Sequence, residues 1–424
     1  MSMNLEATRT FSIEIIQTLQ AAGFQALWAG GCVRDLLLGK PSKDFDVATN
    51  ATPDQVRDVF GHDRTLPIGA SFGVITVQGG KRRGQVEVAT FRTDLGYSDG
   101  RRPDDVRFSS AEEDAQRRDF TINGMFYDPI HKKVLDYVGG QRDLKNRLVR
   151  SIGNPYKRFE EDKLRMLRAV RFSSTFAFDL EMQTQHAVRE YASHIHVVSA
   201  ERIAAEMRRM LTDERRMIAV RMLRDLTLLH EILPEADSTV GHALRWSETY
   251  HSLERLPVGD FRVAMALLLR YACQDSLLNG KPLKPIYPAD EVCRRWKLTN
   301  DEAKIIQWLL RYEHTIRHAD QVAWPKLQRL LIADPAPLLI AMGYAVQRAR
   351  DNSTVGVEHA ESCLSLPEEE LNPDPLLSGS DLIKAGFTPG PQFHRVLETI
   401  RDEQLEKRLN TTDEALAFAK ANWE

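Results

Sequence analysis

Residues 27–46 read LWAGGCVRDLLLGKPSKDFD, and this stretch decides the fold. An apolar entry meets Gly30-Gly31, Arg34-Asp35 follow one helical turn later, and Asp44-Phe45-Asp46 closes the segment. A glycine pair opening a helix lets backbone N–H groups approach an anion, and an arginine one turn in adds a charged fork. Two aspartates separated by one strand residue share a face, because side chains alternate with period two. Carboxylates that close repel each other unless a divalent cation sits between them. The segment therefore predicts a phosphate cradle with Gly30, Gly31 and Arg34, beside a metal-ligand pair, Asp44 and Asp46. That is the equipment of phosphoryl transfer.

At 424 residues the chain exceeds one compact core and implies about two to four domains. Hydrophobic residues at 42% and charged residues at 28% describe an ordinary globular protein. No apolar run approaches the roughly 18 residues of a membrane helix, and the opening MSMNLEATRT has no signal-peptide character, so no membrane partner is expected. Cys32, Cys273, Cys293 and Cys363 are isolated, without the spacing of a disulfide framework or a zinc site. The expected compartment is reducing and cytoplasmic. Charge is unevenly spread: Gly140–Asp225 holds 18 basic and 12 acidic residues, whereas Val355–Glu424 holds 6 and 14. Nucleic acid would be steered toward the middle of the chain, although charge alone fits a solvated helical surface equally.

Working outward, the first third alternates in type. Phe11–Ala21, Val33–Leu38 and Thr52–Phe60 read as helices, the last with Pro53 at its first turn. Gln25–Ala29 and Phe45–Ala48 read as strands. Phe72–Val77 with Gln85–Phe91, and Thr121–Tyr127 with Lys133–Tyr137, read as hairpins. This predicts an α+β fold, with a small mixed β-sheet over residues 1–150 and helices thereafter. A helical segment over 151–235 includes Phe159–Ser173, Glu201–Leu211 and Met217–Leu229, stopped by Pro234. A helical region over 236–365 includes Trp246–Ala272, Thr299–His318 and Lys326–Ala349. Leu366–Pro375 looks like a linker, and 366–424 forms a small final helical unit.

Three further groups carry chemistry. Glu87 lies between Val86 and Val88, so it faces away from them and is the third-carboxylate candidate; a solvent-facing edge residue is the alternative. In EEDAQRRDFTIN (Glu112–Asn123), the Arg117-Arg118 forks suit phosphate oxygens, with Asp119 and Asn123 beside them; pairing with Glu113 and Asp114 at a helix end is the alternative. Glu161-Asp162-x-x-Arg165 continues through Arg168 and Arg171 at three-residue steps on one helix face. Asp162 accepts hydrogen bonds and Arg165 only donates them, which matches the donor-beside-acceptor edge of cytosine or adenine. An i,i+3 salt bridge is the bland alternative.

Five ordered motifs, GGCVRDLLLG, DFD, RRDFTIN, GGQRDL and EDKLRMLRAVRF, make the chain resemble the class II tRNA nucleotidyltransferases, the bacterial family of CCA-adding enzymes and poly(A) polymerases. The resemblance runs closely from Leu27 to about Leu211 and returns at Leu377–Leu416. It implies a nucleotidyltransferase head, then a helical neck, body and tRNA-binding tail. Asp44 and Asp46 would bind catalytic Mg2+, and Gly31, Arg34 and Arg118 would contact the nucleotide. Asp162 and Arg165 would act as an amino-acid template for CTP and ATP, completed by Arg168 and Arg171. Asp94–Val106 would be the flexible loop used in adding the terminal A, and the helix opening Ser199–Glu206 would lie where the neck meets tRNA. The implied reaction is CCA addition to tRNA, with A-only addition or poly(A) synthesis as alternatives. Longer family members carry a His-Asp phosphohydrolase pair where this chain reads Leu268-Leu269-Arg270-Tyr271, so no hydrolase is expected.

Overall fold

The computed structural model describes residues 5–42, 44–80, 83–95, 105–237, 243–277 and 287–423. Two compact units form, Met1–Asp237 and Ser238–Glu424.

The first unit begins with α1 (Leu5–Ala21), whose Phe11, Ile15, Ile16 and Leu19 form a buried stripe at helical spacing. A seven-stranded mixed sheet follows. Its strands are β1 (Ala26–Ala29), β2 (Val47–Thr49), β3 (Thr65–Leu66), β4 (Val74–Gln78), β5 (Gln85–Thr90), β8 (Phe126–Asp128) and β9 (Lys133–Leu135). A separate antiparallel pair is made by β6 (Arg92–Leu95) and β7 (Asp105–Phe108). The sheet order is β3-β4-β5-β2-β1-β8-β9, with β2 and β5 parallel. Every residue of β1 and β2 is buried, as central strands covered on both faces must be. Leu27, Ala29, Ala48, Phe91, Phe126 and, from helix α4 (Ala111–Arg117) after α2 (Gly31–Leu37) and α3 (Pro53–Phe60), Ala111 and Ala115 form one core cluster. Local signals set these helix starts: Thr52 and Gln55 make a capping box at α3, and Ser110 and Glu113 make one at α4.

Around the sheet and the following helices, four sequence readings change. First, β2 starts at Val47, so Asp44 and Asp46 precede the strand; the Asp46 carbonyl still accepts from the Ala29 N–H at 3.0 Å, which holds it in register with β1. Second, Thr121–Asn123 is a 3-10 turn, because its N–H groups close locally, Asn123 to Phe120 and Gly124 to Thr121. Helix α5 (Gly140–Lys145) packs so tightly there that a methyl group at Gly140 would lie 2.3 Å from the Thr121 carbonyl. Third, the Phe159–Ser173 helix is two helices, α6 (Pro155–Glu161) and α7 (Leu164–Phe176), broken at Asp162-Lys163. Asp162 leaves the helix at φ −148° and ψ 105°, and its carboxylate accepts from the Leu164 N–H at 3.0 Å at the start of α7. Fourth, the ends of Asp94–Val106 pair as strands, Asp94 with Val106 and Leu95 with Asp105; the remainder of that loop, 96–104, lies outside the described residues.

Helices α8 (Met182–Tyr191), α9 (Ala200–Leu211) and α10 (Arg216–Asp225) complete most of the first unit. The Met217–Leu229 helix breaks at Thr227, which sits at φ 60°, and Pro234 opens a short helix instead of merely ending one.

The second unit is helical. Trp246–Ala272 divides into Ala243–Glu254 and Phe261–Leu277 across Pro257 and Gly259, and Lys326–Ala349 divides at Pro335 into Trp324–Leu331 and Ala336–Ala349. Leu366–Pro375 is held in place: Gln328 bonds the Leu371 carbonyl, Arg401 that of Pro373 and Gln404 that of Asp374. Arg270 is buried against Glu313 (3.7 Å) and Glu248 (3.4 Å), and burial lowers its guanidinium to about 10. Among the described residues no single helix is long and apolar enough to cross a membrane.

Candidate active site

The site lies in the first unit, as a cleft of about 390 Å³ lined by Gly30, Gly31, Arg34, Asp46, Arg117, Arg118, Asp119, Asn123, Asp162, Arg165, Arg168 and Phe172. Residues from four separate sequence motifs meet there.

The floor is the turn into α2. Gly30 adopts φ 72° and ψ −128°, where a side chain is strained, and a methyl group there would stand 3.1 Å from Arg118 Nη1. Arg34, buried one turn later, donates to Asn123 Oδ1 at 2.7 Å and to Asp35 Oδ1 at 2.9 and 2.7 Å, and stacks 4.4 Å from the Phe176 ring. Its planar fork is therefore fixed before any ligand arrives.

Asp46 stands at the cleft edge. Crowding by protein atoms, then the charges of Glu87 and Asp44, push its carboxyl up to about 6, against the opposing pull of Arg118. Glu87 is on the exposed side of β5, opposite buried Val86 and Val88, and its charge reaches Asp46 more strongly than that of Asp44. Asp44, Glu87 and Arg171 do not line the cleft itself. Among the described residues no three His, Cys, Asp or Glu side chains already converge in an ion-binding group. The donor set nevertheless suits a hard divalent cation: three carboxylates whose repulsion raises a proton affinity are the oxygen ligands such an ion favours.

The opposite wall holds the arginines. Arg117 and Arg118 both pair with buried Asp114, at 2.7 and 2.9 Å, so the helix-end alternative is realised while both still line the cleft. Burial alone would raise Asp114, but these two guanidinia hold it below its ordinary value. Asp119 takes Arg168 Nε at 2.8 Å and Nη2 at 2.5 Å, with the Asn123 amide at 3.1 Å. Burial again opposes ionisation, and Arg168 overcomes it, bringing Asp119 to about 2.

Asp162 and Arg165 do not share a regular helix face, because Asp162 sits in the break with φ −148° and ψ 105°. Arg165 enters from the first turn of α7, donating to the Arg158 carbonyl at 2.8 Å and to Glu161 at 2.5 Å. Asp162 receives Arg202 Nη2 at 2.7 Å. Arg171 turns to Glu206 at 2.5 Å.

Sequence reasoning missed Arg158, Phe172, Arg202 and Glu206. Buried Arg158 joins Glu161 to the carbonyls of Arg117 and Arg118, bracing the two motifs against each other. Its only sequence signal is the i,i+3 step to Glu161. Arg202 and Glu206 lie four apart on α9, and facing inward toward the site is something their spacing alone does not state.

Comparisons with known proteins show the family and the fold. Residues 26–150 match the family model "Poly A polymerase head domain", and 177–239 match "Probable RNA and SrmB- binding site of polymerase A". The chain is 31% identical over 418 residues to the CCA-adding enzyme of Lactobacillus helveticus, covering 96% of this chain and 95% of that one. The Bacillus stearothermophilus CCA-adding enzyme in complex with CTP superposes with a TM-score of 0.72 at 25% identity, over 97% of this chain and 96% of that one. The Thermotoga maritima CCA-adding enzyme complexed with tRNA shares the fold, with a TM-score of 0.69 at 19% identity over 98% and 95%.

Proposed function

This chain belongs to the class II tRNA nucleotidyltransferase family alongside the CCA-adding enzymes, and we infer that it works as they do: it is a nucleotidyltransferase that builds the CCA 3′ end of tRNA from CTP and ATP. The observation that carries this reading is the single cleft joining Asp46, the Gly30-Gly31 turn, Arg34, Arg118 and the Asp162/Arg165 pair.

The family uses divalent metal, and we take the ion here to be Mg2+, held by Asp44 and Asp46 with Glu87 as third carboxylate. When bound it would favour ionisation of the tRNA 3′-hydroxyl and offset charge on the triphosphate. The chain's own residues do the rest. N–H groups at Gly31 with Arg34 and Arg118 would grip the phosphates, fixing the α-phosphate in line with the hydroxyl and pyrophosphate as leaving group. Asn123 and Asp119 orient Arg34 and Arg168, so those forks reach the nucleotide already aimed. Asp162 would accept from the exocyclic amine of cytosine or adenine while Arg165 donates to the neighbouring ring acceptor. Uracil and guanine reverse that order and would leave both groups unpaired, a penalty of roughly 1–3 kcal/mol. Arg168 would complete the nucleotide site, whereas Arg171, paired with Glu206, lies off the cleft lining. The four cysteines are unbridged, which suits the cytoplasm we propose for it.

The test is incorporation by purified protein on tRNAs ending at the discriminator base, at C and at CC, given CTP and ATP singly and together. CTP alone should add two residues to the first substrate and ATP alone should extend only the last. A-only addition would leave the first two substrates unextended, and a poly(A) polymerase would ignore the CTP requirement.

A further inference from the structure

Asp162 sits where no helix holds it. Its backbone is extended between α6 and α7, and its side chain is 15% exposed. Two donors orient the carboxylate: the Leu164 N–H on Oδ1 at 3.0 Å, and Arg202 Nη2 on Oδ2 at 2.7 Å, from a residue 40 positions away on α9. Each carboxylate oxygen has a further lone-pair direction, so a base amine can still be accepted. The competing partner is close. Arg168, already paired with Asp119, lies within the electrostatic reach of Asp162. Without Arg202 the Leu164 N–H alone would hold the carboxylate, and the charge of Arg168 would draw its other oxygen away from an incoming base. One turn along the same face of α9, buried Glu206 takes Arg171 at 2.5 Å and lies 4.0 Å from Arg168. Helix α9 thus contacts both the acceptor Asp162 and the arginines that follow Arg165 along α7.

We propose that Arg202 is a positioning residue for nucleobase selection, setting the direction in which Asp162 accepts a hydrogen bond from the incoming base. This rests on the reading of Asp162 and Arg165 as the base-reading pair. Arg202 touches no substrate in this account; it acts through Asp162. Losing it should therefore degrade choice among nucleotides more than the rate of the preferred one.

The experiment compares the full chain with Arg202→Met, Arg202→Lys, Asp162→Ala and the double variant Asp162→Ala/Arg202→Met. Single-nucleotide incorporation is measured with CTP against UTP on tRNA lacking CCA, and with ATP against GTP on tRNA ending in CC. KM and kcat are resolved separately, beside a thermal melt. Arg202→Met should lower both preference ratios by roughly tenfold, with KM for CTP and ATP rising more than kcat falls. Arg202→Lys, which keeps a charged donor, should give an intermediate ratio. In the Asp162→Ala background the Arg202 change should cost no further discrimination. Unchanged ratios in Arg202→Met, with Asp162→Ala relaxed, would overturn the Arg202 role and leave the base-reading pair standing. Unchanged ratios in Asp162→Ala would remove the pair and the proposal with it. An equal fall for all four nucleotides with a lowered melting temperature would make Arg202 merely structural, and so would an additive double variant. Should Arg202→Met not fold, a parental ratio in Arg202→Lys overturns the proposal.

Discussion

Lowering the pH from 7 to 5 should weaken divalent-metal binding about tenfold, and removing Glu87 should shift part of that dependence to more acid pH. The Asp46 carboxyl is raised to about 6 by enclosure and by Glu87 and Asp44. A raised carboxylate holds its proton as pH falls through that value, so at pH 7 roughly nine in ten molecules present an ionised Asp46, and at pH 5 roughly one in ten. A metal ion and the proton compete for the same oxygens, so apparent affinity follows the ionised fraction. Glu87→Gln removes the more strongly felt of the two neighbouring charges, which lowers the Asp46 pKa and moves the loss of affinity to more acid pH. Calorimetric titration of Mn2+ into the parent and the Glu87→Gln protein at half-unit steps from pH 5 to 7.5 measures both effects. Equal affinity at pH 5 and pH 7 in the parent, or the same pH profile in both proteins, would refute the carboxylate cluster as described.

Asp44→Ala or Asp46→Ala should reduce incorporation by far more than tenfold, while the melting temperature holds or rises because mutual repulsion is relieved; labelled-nucleotide incorporation beside a melt checks it. Gly30→Ala should destabilise the fold by about 1 kcal/mol and raise KM for nucleotide, since φ is 72° and the new methyl group meets Arg118; a parental KM would be the contrary result. Asp119→Asn should remove the anchor of Arg168 and cost on the order of 2 kcal/mol, from a carboxyl held at about 2 against an ordinary 3.8; because that pKa is depressed, the difference between parent and variant in urea unfolding should be full at neutral pH and shrink as pH falls from 4 to 2. Deleting 96–102 should suppress A addition to tRNA ending in CC while sparing C addition, read on the same tRNAs; undiminished A addition would remove the loop from the account.

The sheet, the helical remainder and the glycine–arginine lining of the cleft were legible because they rest on local signals. Gly30 sits at φ 72°, a backbone that favours glycine, and valines alternating around Glu87 assign its face through the pleat. Asp119 and Asn123 were legible as site residues but not as orienting groups, since their partners Arg168 and Arg34 lie 49 and 89 residues away. The break at Asp162 was hidden because EDKLRMLRAVRF has continuous helical periodicity and no glycine or proline. What interrupts it is a side chain capping Leu164, a competition that periodicity does not register. The same limit hid Arg158 and Arg202, whose importance lies in where another helix sits, whereas the breaks at Pro257 and Pro335 were written in the sequence as prolines inside apolar runs.

The most direct measurement is the sequence and length of what the chain adds to a tRNA transcript ending at its discriminator base, with CTP and ATP both present, read by intact mass for the parent and for Asp46→Ala. The account predicts a product longer by C, C and A that then stops, and none from the variant. An unextended tRNA, a run of adenylates, or a parental product from Asp46→Ala would contradict it.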